Sequence, residues 1–411
     1  MRSLIGLLGA SSLLLALIPA FAQTVISEGQ AMKIHDRLLT IDSHVDIGSG
    51  YGTSRLNPAV LNHAQVNLPS MRSGGLDAAF FIVFTPQGEM TSKGYARGKK
   101  FAEEKHRGIS LMLNANTGTI GLATTADEVE ALKAEGKLIA LIGIENSYPL
   151  GSTIEEVSQA VELWHGRGAR YASITHFGHN QFGGSSNPSS RRGDGEDPGL
   201  SSLGHTLVSV LNDYGIMVDI SPVGPRTSAD VIALSRAPVI ASHSTVKSVY
   251  DNARGLTDKQ LMAIRDSGGV AQITAYRSYL ARIDPRIVTA MGALRKRLEL
   301  TSFAAFNSAA PEIVAEYRRE RAKIRSEFDD VSLTQFLDHV DHAIKTVGID
   351  HVGLSGDFDG GGGVEGWDGA SDSPNVTKQL LERGYSEEDL AKLWGGNLLR
   401  VMRDVEAAAI N

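Results

Sequence analysis

The chain has 411 residues, 42% of them hydrophobic, and 47 acidic against 40 basic side chains give a formal charge of −7. That length buries a large core, as one α/β barrel or as two smaller domains. The acidic balance leaves no basic footprint for nucleic acid, so a small molecule is the expected partner; the absence of cysteine excludes disulfides, thiolate metal sites and a cysteine nucleophile.

The chain opens with Arg2, an apolar run from Leu4 to Ile18 and then Ala20-Phe21-Ala22. This reads as a positive n-region, an h-region and a small-x-small cleavage site. Residues 1–22 are therefore expected to be a signal peptide, and 23–411 an exported, periplasmic domain. An N-terminal anchor is the other reading, but the run is shorter than the roughly 20 apolar residues that span a bilayer. The mature chain is expected to be soluble.

Beyond the signal, short apolar or β-branched runs alternate with stretches of helical period, the pattern of repeated β-crossover-β units. Eight runs are predicted as strands: Leu39 to Asp42, Ala78 to Thr85, Leu138 to Ile144, Tyr171 to Thr175, Ile216 to Ile220, Pro238 to Ser242, Gly269 to Thr274 and His351 to Ser355. Several are almost wholly apolar, as strands covered on both faces are. Eight closes a (β/α)8 TIM-type barrel. Helices are expected over Thr153 to Gly166 and Gly204 to Tyr214, and a surface loop over Ser185 to Ser202. The long charged stretch from Ser278 to Val331 reads as a helical insertion after strand seven.

On such a barrel, chemistry sits at the C-terminal strand ends. His44 and Asp46 follow strand one; alternate residues of an extended chain point the same way, so both can reach one cation. A lone His-x-Asp is more often a capping or hydrogen-bonding pair. Glu145 ends strand three, where an unpaired buried charge costs several kcal/mol and calls for a cation or a proton. His176 ends strand four with His179 close behind, His243 ends strand six, and Asp357 and Asp359 follow strand eight. Each alone could be a satisfied barrel-mouth residue; their recurrence after five strands argues for a site. Imidazole and carboxylate without sulfur suit catalytic zinc. Glu145 has two oxygens and could bridge two ions, while Asp357 could relay a proton.

In order, Ile41-Asp42-Ser43-His44-Val45-Asp46, Ile142-Gly143-Ile144-Glu145, Arg170-Tyr171 through Thr175-His176, Ala237 to Ser244, Gly356-Asp357-Phe358-Asp359-Gly360 and Gly396-Asn397-Leu398-Leu399-Arg400-Val401 resemble the membrane dipeptidase family, from about Met32 to Val405. The resemblance implies a zinc-dependent dipeptidase that uses a metal-activated hydroxide, acting also on dipeptides with a C-terminal D-residue. It implies that His44 and Asp46 bind one zinc, that Glu145 bridges and that His243 binds the second. His176 would contact the scissile carbonyl oxygen, Arg254 would hold the substrate carboxylate, and Asp357 would shuttle the proton. A homodimer is also compatible with the family.

The family pattern breaks at strand five, where Asp219-Ile220-Ser221-Pro222 has proline in place of the expected histidine ligand. Proline offers no side-chain lone pair. A weakened second site, a one-zinc enzyme and a metal-impaired exported dipeptide-binding protein all remain open. Asp219, Ser221, His179 and His205 are candidate stand-ins. A phosphotriesterase-like amidohydrolase is a further reading, disfavoured because strand four ends in Thr175-His176 rather than in a bridging lysine.

Overall fold

The computed structural model describes residues 26–328 and 330–410; the expected signal segment, 1–22, lies outside them. Eight parallel strands run β1 (Ile41–Val45), β2 (Ala78–Phe84), β3 (Leu138–Glu145), β4 (Ala169–Ser173), β5 (Met217–Asp219), β6 (Ile240–Val246), β7 (Val270–Thr274) and β8 (Val352–Ser355), each beside the next in chain order. The ring nearly closes between its ends. Gly356 N donates to both Asp42 carboxylate oxygens at 3.1 and 3.0 Å, and Val45 bridges Phe358 in parallel. With its surrounding helices this is a (β/α)8 barrel.

Why these runs form strands is visible in β3, where every residue from Leu138 to Glu145 is buried. A strand covered on both faces tolerates apolar residues at each position. The period of two then sorts them into layers: Phe80, Ile82, Leu141, Met217 and Ile240 share a cluster with the C-terminal helix Asn397–Ala407, while Phe81, Val83, Ile142 and Val218 join a second cluster shared with outer-helix residues such as Val157 and Leu207. Each such side chain taken from water contributes roughly 1.5–3 kcal/mol.

The predicted helices appear as Ile154–Gly166, capped by Thr153, and Ser202–Asp213, capped by Ser201. The segment from Ser185 to Ser201 is loop apart from one short turn, Ser190–Arg192, and Ser202 opens the helix. After β7 the chain leaves the barrel as helices Arg277–Leu280, Pro285–Arg297, Phe303–Ser308 and Pro311–Ser326, with a small apolar cluster of their own at Leu294, Leu300 and Tyr317. Two short strands escaped the sequence reading: Ile120–Leu122 pairs with β3 and Gly255–Leu256 with β6. At two or three residues they are too short to show a period. Among the described residues no helix is long and apolar enough to cross a membrane.

Candidate metal centre

Two strands carry an irregularity where a histidine stands. Between Asp42 and Val45, β1 spends three steps against two on β2, from Ala79 to Phe81; between Ala241 and Ser244, β6 does the same against Ala271 to Ile273 on β7. One extra residue is a bulge, which bends the strand and re-aims the side chains. His44 and His243 lie within these bulges, and their rings approach to 3.7 Å between centroids. The sequence reading ended strand six at Ser242; the strand continues to Val246, so His243 sits inside it.

Both imidazoles face Glu145 at the end of β3. His44 Nε2 lies 3.6 Å from Glu145 Oε2, His243 Nε2 3.2 Å from Oε1, and His176 Nε2 3.6 Å from Oε1. Asp46 approaches His44 Nε2 at 3.8 Å. His44, Glu145 and His243 form one group of possible metal donors and His44, Asp46 and Asp357 another, with the ligand atoms of each within 4.8 Å of one another. Gly360 makes the second convergence possible, since a Cβ there would stand 2.3 Å from Asp46 Oδ2 and 2.4 Å from Asp357 Oδ1. Asp357 and Asp359 themselves take left-handed backbone, with φ of 49° and 62°, a conformation uncommon outside glycine and frequent at functional turns.

Behind the imidazoles, neighbours decide which nitrogen is free. Tyr171 Oη donates to Ser43 O at 3.1 Å and so accepts from His44 Nδ1 at 2.9 Å. Ser242 Oγ donates to Asp219 Oδ2 at 2.6 Å and so accepts from His243 Nδ1 at 2.8 Å. Each ring therefore carries a proton on Nδ1 and turns its Nε2 toward Glu145, the arrangement in which outer partners orient metal-binding histidines. Tyr171 reaches His44 by lying across Gly143 of β3, where a Cβ would be 2.3 Å from its ring.

Burial and crowded charge shift every titratable group of this assembly. Burial pulls the His44 imidazolium down, but Glu145, Asp357 and Asp46 outweigh it and hold His44 at about 9. Burial pushes Asp357 up to about 8, with His44 opposing and Asp46 and Glu145 adding to the rise. Burial likewise pushes Asp46 up to about 6 and drives His243 well below its ordinary value. Burial disfavours the Glu145 anion, yet His176 and His44 hold it well below the usual carboxylate range. A protonated His44 and a neutral His243 thus face the same carboxylate. The donor chemistry fits a divalent metal.

The suggested stand-ins at strand five do not reach this cluster. His179 is held in its loop by Ser185 N at 3.0 Å and Gly195 O at 3.1 Å, and His205 is exposed on its helix. Asp219 sits behind Ser242, accepting from Ser242 N at 2.9 Å and Ser221 N at 3.0 Å, and Ser221 Oγ pairs with Ser244 Oγ. Pro222 offers only its carbonyl, which accepts from Thr175 Oγ1 at 2.8 Å. Asp359 also serves elsewhere, taking Gln65 N at 3.0 Å and Arg318 Nη2 at 2.6 Å.

The cluster opens into a cleft of about 1160 Å³ that His176, Arg254 and Asp357 also line. His176 packs between Phe84 and Phe177, at ring distances of 4.8 and 4.3 Å. Arg254, 5% exposed, donates Nη2 to His243 O at 3.1 Å and lies over Tyr279 at 5.5 Å; its Nε and Nη1 have no acceptor. The sequence reading missed Lys105, a buried residue on helix Ser92–Ala115 whose Nζ donates to Ile47 O beside Asp46. No motif marks it, because a lysine on an amphipathic helix looks like any solvent-facing one.

A family model described as membrane dipeptidase, peptidase family M19, matches residues 28–411. The chain belongs to the membrane dipeptidase family. Its relatives include Dipeptidase ataJ of Aspergillus terreus, 28% identical over an alignment that covers 93% of this chain and 88% of that protein. The structure of the probable dipeptidase PvdM from Pseudomonas aeruginosa superposes with a TM-score of 0.80 at 31% identity, covering 95% of this chain and all of that one. A metallopeptidase from Rhodobacter sphaeroides, liganded with a phosphinate mimic of the dipeptide L-Ala-D-Ala, shares the fold with a TM-score of 0.68 at 23% identity, over 90% of this chain and 99% of its own length. As a member of the membrane dipeptidase family, the protein is a metallo-dipeptidase, a hydrolase with a candidate His/Glu/His metal site.

Proposed function

We propose that the protein cleaves dipeptides, including those with a C-terminal D-residue, with zinc at the centre described above. The observation that carries this is the convergence of His44 Nε2 and His243 Nε2 on the two oxygens of the Glu145 carboxylate, with each Nδ1 held from behind by Tyr171 or Ser242, a donor set suited to zinc. His44 and Asp46 would hold one ion, with Glu145 spanning to a second ion on His243; its two oxygens already face different imidazoles. Zinc, when bound, supplies an activated water and polarises a carbonyl.

The chain's own residues account for the remaining work. His176, at the cleft wall, would donate to the scissile carbonyl oxygen, where negative charge grows as the peptide bond is attacked. Arg254, with two idle N–H groups, suits the terminal carboxylate of a dipeptide. Asp357, beside Asp46 and His44, would take a proton from the attacking water and pass it to the leaving amine. Removing metal with a chelator should abolish cleavage across a broad dipeptide panel, and zinc should restore it. Absence of turnover with zinc, cobalt or manganese would sink the reading, leaving a dipeptide-binding protein to be recognised by calorimetry. Export would show as a periplasmic product beginning near Gln23.

A second ion held by Glu145 and His243 would find no side-chain donor at Pro222. Pro222→His is expected to raise zinc affinity there by at least the roughly 10–100-fold that even outer partners contribute, with zinc per chain and turnover rising together. Unchanged metal content by elemental analysis would refute the assignment of Pro222 to the ligand position.

A further inference from the structure

The cleft extends beyond the metal centre, and its far wall is built by the helices inserted after β7. Nine basic and five acidic side chains line it, in a chain whose overall charge is −7. Three of these basic side chains, Arg277, Arg321 and Arg325, share two carboxylates. Arg277 Nε donates to Asp330 at 2.7 Å and its Nη2 to Asp368 at 3.2 Å; Arg321 Nη2 and Arg325 Nη1 reach Asp368 at 2.9 and 3.2 Å. Neighbouring Arg318 is already matched by Asp359 at 2.6 Å.

The side chains of Arg277, Arg321 and Arg325 are only 7%, 11% and 16% exposed. Arg277 Nη1 and Arg321 Nε have no acceptor. Burial, with repulsion from Arg321 and Arg277, pulls Arg325 down to about 9. Ion pairs whose task is to tether the insertion need only matched charge. Here, among the described residues, three guanidiniums meet two carboxylates, and a buried donor without a partner is costly. One more anion would complete the set, and planar guanidinium forks favour a carboxylate. Space is available, because the cleft exceeds the roughly 300–1,000 Å³ of common small-molecule pockets.

We propose that Arg277 and Arg321 form a second anion subsite, separate from Arg254, and that the preferred substrates are dipeptides bearing an Asp or Glu side chain besides their terminal carboxylate. This rests on the dipeptidase reading. The test compares kcat/KM of the zinc-loaded protein for Ala-Asp, Ala-Glu, Asp-Ala and Glu-Ala with their Asn and Gln isosteres, and with Ala-Ala. The acid is expected to be favoured at one position by at least about tenfold, with the ratio falling as salt is added. In Arg321→Met, checked for folding by its melting curve, the ratio should collapse to about two or less, and Arg321→Lys should recover part of it. Equal handling of acids and amides by the wild type overturns the subsite, as does an unaltered ratio in folded Arg321→Met. Should no dipeptide be cleaved, Ala-Ala included, the dipeptidase reading fails by itself. Calorimetric titration with the same acid and amide pairs then decides the subsite, tighter binding of the acid supporting it and equal binding removing it. Should Arg321→Met not fold, the wild-type ratio and its salt dependence decide.

Discussion

Glu145→Gln is expected to lower turnover by about 10²–10⁴ and to reduce bound metal in parallel, because removing one partner from a buried charge cluster costs roughly 3–5 kcal/mol. The glutamine keeps the shape but removes the charge that three imidazoles face at 3.2–3.6 Å. One amide oxygen also replaces two carboxylate oxygens, so it cannot serve ions on both sides. A defect confined to substrate affinity, with metal content intact by elemental analysis, would show that Glu145 is not a ligand. The fold itself should survive, since the apolar residues of β3 that precede Glu145 are unchanged.

Arg254→Met should weaken kcat/KM by about 30- to 5,000-fold, the 2–5 kcal/mol scale of a lost buried charge pair. Methionine retains the apolar stem over Tyr279 but presents no N–H. The diagnostic is a comparison of free dipeptides with C-terminally amidated ones. The wild type should discriminate strongly for the free acid, and the variant should lose that discrimination. If both proteins treat acid and amide alike, Arg254 does not hold the terminal carboxylate.

The barrel was legible because its strands are buried on both faces, so Ala78 to Thr85 and Leu138 to Ile144 stand out as apolar runs without any partner in view. The polar strand ends were equally conspicuous: His44, Asp46, Glu145, His176, His243 and Asp357 all come to one cleft. What escaped notice depends on pairing across the chain. The bulges at His44 and His243 exist only relative to the neighbouring strands, and a single strand's composition carries no trace of them. Tyr171, placed behind His44 by a contact 127 residues distant in sequence, reads as one more buried aromatic. His179 and His205 lie outside the family's usual ligand positions yet were candidates to replace the ligand missing at Pro222; the loop and helix that carry them hold them elsewhere. The insertion was recognised by its charge, but not the mismatch of three guanidiniums with two carboxylates, which requires Arg277 to meet Asp368 across 91 residues.

The hydrogen bonds from Gly356 to Asp42 join positions 314 residues apart. The first donors to leave the ribosome, His44 and Asp46, therefore meet Asp357 only after nearly the whole chain has been made. Small zinc domains fold around their ion; here the donors of the second group converge only where the two ends of the ring meet. A chain cut short before β8 should consequently carry most of the donor residues and still lack the complete centre.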